Sequence, residues 1–260
     1  MVTLFFSPES AETACGMFTL PHIISLILCL IFIGIAVYFS RNLSDTALKK
    51  ITRILAYVFT AMEIIKIIYK IAHGYTDKLD YFLPISFCSL FIYCLWLCGF
   101  GKGIAYRIGS AFIVCGCFTG GLAFLFVPAT SLMMHPVYHY LSIHSMLFHS
   151  AMVYLSIVYI IKAVLPIFNK NVFYTYCSFV LLASIIAIML NILTGSNLML
   201  LTFPVNIPIG IINTVAESIP ALYTAGAVAL YVFLPYGVAV LMEKLITRLK
   251  NKASDKEVIP

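Results

Sequence analysis

VYHYLSIHSMLFHSAMVYLSIVYII, residues 137–161, contains no Asp, Glu, Lys or Arg. As a helix it would rise about 38 Å at 1.5 Å per residue, more than the roughly 30 Å hydrocarbon core of a bilayer. The stretch therefore reads as a membrane-spanning helix. Composition extends that reading to the whole chain, which is 62% hydrophobic and 10% charged, against about 45–50% apolar and about 25% charged residues in soluble domains. A length of 260 residues would hold one or two soluble domains, but apolar runs use nearly all of it.

Seven such runs are present, at 20–40, 51–72, 81–99, 104–127, 137–162, 172–194 and 217–241. Of the 16 basic residues, all but Lys66, Lys70 and Lys78 fall in alternate connections and in the tail. Basic residues mark the cytoplasmic side. The expected fold is an all-α polytopic membrane helix bundle of seven transmembrane helices, with the N-terminus outside and the C-terminus cytoplasmic. Residues 1–19 form an outer interfacial segment, 20–243 the transmembrane domain and 244–260 a short, frayed basic tail. Residues 195–216 are apolar yet carry Pro204 and Pro208, and a span there would break the charge alternation. Irregular backbone at membrane depth is tolerated where protein or a cavity covers it, so this segment is expected to be an outer, partly re-entrant loop. The N-terminus has no signal-peptide pattern, since acidic Glu9 and Glu12 precede the first basic residue, Arg41.

The net charge of +6 is spread over short loops, which gives no nucleic-acid surface. Seven of the eight cysteines (Cys29, Cys88, Cys94, Cys98, Cys115, Cys117 and Cys177) lie inside apolar runs, where cysteine behaves as a small hydrophobe. No zinc spacing is present, and no cofactor or metal is expected. Gly116, Gly120 and Gly121 in the fourth run suit close helix contact. The GFGKG at 99–103 lacks the spacing of a phosphate-binding loop and reads as a cytoplasmic turn.

Ionisable and polar residues inside spans are costly, and each is a functional candidate. Glu63 falls near the bilayer midplane, with Lys66 three residues on and on the same helix face. They form either a structural ion pair or a proton-handling group. In the opening stretch, His139 and His149 share a face with His135, within roughly 80° of one another at 100° per residue, and His144 points to the opposite side. His144 and His149 therefore do not form a two-histidine metal face, which needs i,i+4 spacing. His149 is expected to tie helices together, with Glu63 as a partner. Ser86 and Cys88 in the third run are candidate nucleophiles beside His144. Asn191, Asn197 and Glu217 complete a set of polar residues in the outer half or at the midplane.

Three stretches together carry a family resemblance: Leu83-Pro84-Ile85-Ser86-Phe87-Cys88, then Ser142-Ile143-His144-Ser145 with His149, then Gly195-Ser196-Asn197-Leu198-Met199. The chain resembles the YwaF-type bacterial integral membrane proteins over most of its length. That family looks related to the eukaryotic transmembrane protein 164 group, whose activity is acyl-chain transfer into ether phospholipids, with a cysteine proposed as nucleophile. The resemblance implies a bacterial plasma-membrane protein. The match departs from the pattern at two positions. The relatives have a histidine two residues after the proline, where this chain has Ser86. The acyltransferases have the cysteine directly after it, where this chain has Ile85. Cys88 matches a cysteine of the bacterial branch, and His144 matches best.

The leading functional expectation is a lipid-modifying, acyltransferase-like membrane enzyme. His144 is its base, Cys88 or Ser86 its nucleophile and Glu63 or Asn197 an orienting group. Lys66, His149, Asn191, Asn197 and Glu217 line the substrate site, and membrane lipids are its partners. Two alternatives stand beside it. One is a small-molecule or ion transporter or its binding component, which needs a polar path through both halves. The other is a non-catalytic seven-helix sensor or accessory subunit with a membrane-protein partner.

Overall fold

In the computed structural model, residues 5–8, 13–205 and 209–257 are described, with 252–257 as backbone. Pro208, part of the 1–19 segment and the end of the tail lie outside the described residues. Within them the chain is all-α: α1 Leu20–Ser40, α2 Asp45–Ala72, α3 Leu90–Phe100, α4 Gly103–Cys115, α5 Cys117–Phe126, α6 Tyr140–Ile161, α7 Lys170–Thr194, α8 Gly210–Ser218 and α9 Pro220–Glu257. Short 3₁₀ turns occupy Leu79–Tyr81 and Leu198–Leu200.

Each of the seven expected runs holds a helix, but among the described residues only α1, α6, α7 and α9 are long and apolar enough to cross a membrane. The bent pair α4 and α5 makes a fifth if counted as one span. The differences have local causes. Helix α2 is long enough, yet it carries Asp45, Lys49, Lys50, Arg53, Glu63, Lys66 and Lys70. Helix α3 starts at Leu90, not near 81, and has 11 residues. The Ser86 hydroxyl accepts from Ser89 N at 3.1 Å and holds the approach as a turn. Pro84 therefore sits in a non-helical lead-in and not inside the helix. The run 104–127 bends by 42° between α4 and α5, at Gly116, a usual site of helix kinks.

The last run also breaks. Proline disfavours helical backbone in the residue before it, and Ile219, which precedes Pro220, has φ −140° and ψ 70°. Glu217 consequently belongs to the short α8. Helix α9 then continues past Pro235 to Glu257, so Lys244, Arg248 and Lys250 project from a helix where a frayed tail was expected. The segment 195–216 contains a 3₁₀ turn and most of α8.

Caps set the other boundaries. The Ser44 hydroxyl accepts from Ala47 N at the start of α2, and His139 Nδ1 accepts from Leu141 N at the start of α6. Gly195, at φ 66°, ends α7 in the left-handed conformation that glycine adopts without strain.

Helix α6 is the axis of the bundle. Its most apolar stretch is 72% buried inside the protein, against 11% for α1, which lies at the periphery. Among apolar lipid tails helices gain little from hydrophobic burial, so close packing and interhelical hydrogen bonds hold them together. Both are present around α6. A Cβ on Gly121 would lie 2.6 Å from Val153 Cγ2 and 2.8 Å from His149 O, which shows how closely α5 approaches it. The Tyr154 hydroxyl meets Ser40 Oγ of α1 at 2.7 Å. The Tyr159 hydroxyl meets Thr52 Oγ1 of α2 at 3.1 Å.

Candidate functional site

Three ionisable side chains meet where α2 faces α6. Lys66 Nζ lies 2.5 Å from Glu63 Oε1, the i,i+3 pair that the sequence spacing implies. His144 Nε2 lies 3.6 Å from the other carboxylate oxygen, Oε2. The Glu63 and His144 side chains are each about 6% exposed, and Lys66, at 24%, is the member that reaches the surface. One turn before His144, the Tyr140 hydroxyl donates to Met62 O at 2.6 Å and fixes the register of α6 against α2. Tyr140 was not singled out from the sequence; an aromatic four residues before a buried histidine was its signal. The His144 ring lies nearly parallel to Phe148, with centroids 5.8 Å apart.

This group is incompletely satisfied. His144 Nε2 is buried without a hydrogen-bond partner, and the Lys66–Glu63 contact is a close ion pair whose angles are not those of a hydrogen bond. Buried polar atoms normally have partners, and an exception calls for a reason such as a catalytic role. With Nε2 turned toward Glu63, Nδ1 is the ring nitrogen left to exchange a proton with something else.

The other expected residues are not gathered around it. His149 projects to the α5 side, where its ring stacks on Phe124 with centroids 3.7 Å apart. Its Nδ1 donates to Ser145 O at 2.7 Å. The expected tie to Glu63 is thus made by His144 and not by His149. Cys88 Sγ is directed at Gly120 O, 3.8 Å away. Ser86 is exposed and shares a hydrogen bond of 2.8 Å with Ser89. Neither hydrogen-bonds His144.

Asn191, Ser196 and Asn197 build a knot at the end of α7. Asn191 Oδ1 accepts from Leu198 N at 2.7 Å and its Nδ2 donates to Leu198 O at 3.1 Å. Asn197 Oδ1 accepts from Thr202 N and Phe203 N, and its Nδ2 donates to Phe203 O. Asp80 Oδ1 accepts from Asn197 N, and Ser196 Oγ accepts from Leu79 N. The two amides are occupied in holding a tight loop in which Met199 and Leu200 have φ of 55° and 53°. Glu217 is exposed on α8, outside the knot.

Histidines outside the site serve as ties. His22 Nδ1 accepts from Phe18 N, so its Nε2 carries the proton and donates to Leu125 O at 3.0 Å, joining α1 to α5. His135 stacks on His139 with centroids 4.0 Å apart. Burial, and then the charges of His139 and Lys70, push His135 down to about 3, so it is neutral at pH 7. Among the described residues no group of three or more His, Cys, Asp or Glu converges as metal ligands would.

No curated protein and no solved structure matches the chain. The model of the TMEM164 family matches residues 17–240. That range takes in every helix from α1 to most of α9, and with it the α2–α6 site and the Asn191–Asn197 knot. The chain belongs to the TMEM164 family of membrane proteins.

Proposed function

We propose that the protein is a membrane enzyme that transfers acyl chains between lipids, with His144 as general base and Glu63 as the group that positions it. The carrying observation is the approach of a carboxylate to within 3.6 Å of a buried imidazole that has no other polar partner at Nε2. Catalytic hydrogen bonds are often long without substrate and tighten when it binds. Ile64, Ile65 and Ile68, beside the pair on α2, are all exposed, which suits a substrate arriving from the lipid.

In this reading His144 removes the proton of a lipid-borne hydroxyl while that oxygen attacks the carbonyl of an acyl donor. A new ester bond forms, the donor's bond to its acyl carbon breaks, and His144 returns the proton to the leaving group. The substrate supplies the nucleophile, because Ser86 and Cys88 are engaged elsewhere. Lys66 pairs with Glu63 Oε1, and the other carboxylate oxygen faces His144 Nε2, where it orients the ring and stabilises the imidazolium that forms.

The topology belongs to the same proposal. Seven spans, with α2 crossing despite its charges, α3 crossing with its lead-in and α4–α5 as one bent span, put the two termini on opposite sides, with the N-terminus outside in this reading. The basic residues then fall on the cytoplasmic side by the positive-inside rule. The resemblance to YwaF-type proteins supports the bacterial plasma membrane as the location. The test is lipid acyl-chain profiling of a deletion strain complemented with the wild type, His144→Ala or Glu63→Gln. The deletion should shift the profile, the wild type restore it and both variants fail. An unchanged profile in the deletion overturns the enzyme reading in favour of transport or sensing.

A further inference from the structure

At the other end of the bundle lies a second polar site, independent of His144. A cavity of about 510 Å³ is lined by Lys49, Lys102, Lys162, Asp45, Tyr106 and Tyr159, among others. Lys49 is 14 residues before Glu63 on α2, about 21 Å along the axis, and Lys162 is 18 residues after His144, about 27 Å. The cavity lies within the 300–1,000 Å³ range of small-ligand sites.

Its charge is unbalanced. Three ammonium groups face one carboxylate, and that carboxylate is taken: Lys162 Nζ donates to Leu43 O at 2.7 Å and lies 3.2 Å from Asp45 Oδ1. Asp45 itself is 93% exposed. Lys49 Nζ lies 5.9 Å from the Tyr106 ring centroid, and Lys102 has no polar partner among the described residues. Among the described residues, two lysines of the lining, Lys49 and Lys102, are therefore without a carboxylate partner. Helix α4 begins on the same wall, and its N-cap residue, Lys102, makes no side-chain cap. The first N–H groups of α4 add partial positive charge there.

We propose that this cavity binds the phosphate group of an anionic ligand, either the headgroup of a membrane phospholipid or a soluble phosphate ester. Two unpaired lysines and an open helix N-terminus match the one to two negative charges and the acceptor oxygens of a phosphate. Basic pockets between membrane helices take phospholipid headgroups by the same chemistry. The proposal holds whether or not His144 is catalytic, and its test contains no turnover.

Full-length protein is reconstituted in nanodiscs of phosphatidylcholine containing a minor fraction of phosphatidic acid. Retained phosphatidic acid is read by native mass spectrometry, and binding of inorganic phosphate by equilibrium dialysis. At least one probe binds, and binding weakens steeply with added salt. The Lys49→Gln/Lys102→Gln double variant weakens it by about tenfold or more. Lys50→Gln, an exposed charge outside the cavity, leaves it unchanged. Phosphatidic acid binding alone identifies a lipid headgroup, and phosphate binding identifies a soluble ester. Failure of both probes, binding indifferent to salt, or an equal loss in Lys50→Gln overturns the proposal. Melting temperatures of the variants separate lost binding from lost fold, and the salt titration of the wild type stands even if the double variant does not fold.

Discussion

The knot after α7 and the α2–α6 site are both polar groups buried in an apolar bundle, and they are built to opposite rules. In the knot, Asn191 and Asn197 use their amide oxygens and nitrogens on backbone groups of the loop 198–203. In the α2–α6 site, a carboxylate, an ammonium and an imidazole approach one another, and His144 Nε2 has no hydrogen bond. A satisfied polar group stabilises the fold, and its loss strands its partners. An unsatisfied one costs its lost solvation without return, and a catalytic role is one reason to keep it. The contrast predicts that substitutions in the knot act on stability and those at the site act on chemistry.

The largest expected effect is therefore on rate. His144→Ala should lower acyl transfer by about 10³-fold, within the usual 10²–10⁴ range of a lost general base. Its melting temperature in detergent should fall only by the packing lost with the buried ring, since no hydrogen bond from the imidazole is lost, so the rate is compared per folded molecule. Glu63→Gln should lower the rate less, because the imidazole remains. A large fall in melting temperature with rate retained per folded molecule would reverse the assignment and make His144 a structural tie.

Asn197→Ala is the mirror experiment. It removes the acceptor of Thr202 N and Phe203 N and the donor to Phe203 O. Leaving such groups unpaired costs about 3 kcal/mol in all, read as a lower melting temperature, while molecules that still fold should keep their rate. A stable variant with lost activity would show that Asn197 binds substrate, as the sequence led one to expect.

Much of this contrast was hidden in the sequence, for physical reasons. The expected boundaries of α1, α6 and α7 lie within a few residues of the observed ones, because those runs are uninterrupted and their ends carry caps or charge. The start of α3 depends on a hydrogen bond from Ser89 N to the Ser86 hydroxyl that no periodicity reveals. The bend at Gly116 follows a residue that an apolar helix also tolerates. Helical angles placed His144 and His149 on different faces, as found, but an angle does not say which helix occupies a face. Glu63 turned out to face His144, and Phe124 to face His149. Lys49, Lys102 and Lys162 served only as markers of orientation, because a cavity is a property of packing.

Gly121→Ala tests the scaffold that both regions share. The added Cβ would sit 2.8 Å from His149 O and 2.6 Å from Val153 Cγ2, so α5 must move from α6. Overpacking of this kind costs about 1–3 kcal/mol, visible as a lower melting temperature. The rate should fall little, because His144 faces α2 and not α5. A rate loss as large as that of His144→Ala would show that the α5 contact positions the site.

Cys88→Ala has the smallest expected effect and decides the most about mechanism. The thiol meets Gly120 O at 3.8 Å, and S–H is a weak donor. Its removal should cost less than about 1 kcal/mol. Direct transfer to a substrate hydroxyl leaves no role for the thiol, so the rate should also be unchanged, and no acyl group should be found on the protein when turnover is quenched. A thioester trapped on wild type and missing in Cys88→Ala, together with a rate loss at constant melting temperature, would move the nucleophile from the substrate to the protein. His144 would then have to act on Cys88, which requires α3 or α6 to shift during the cycle, because in the structure the thiol is turned to α5 and the imidazole to α2.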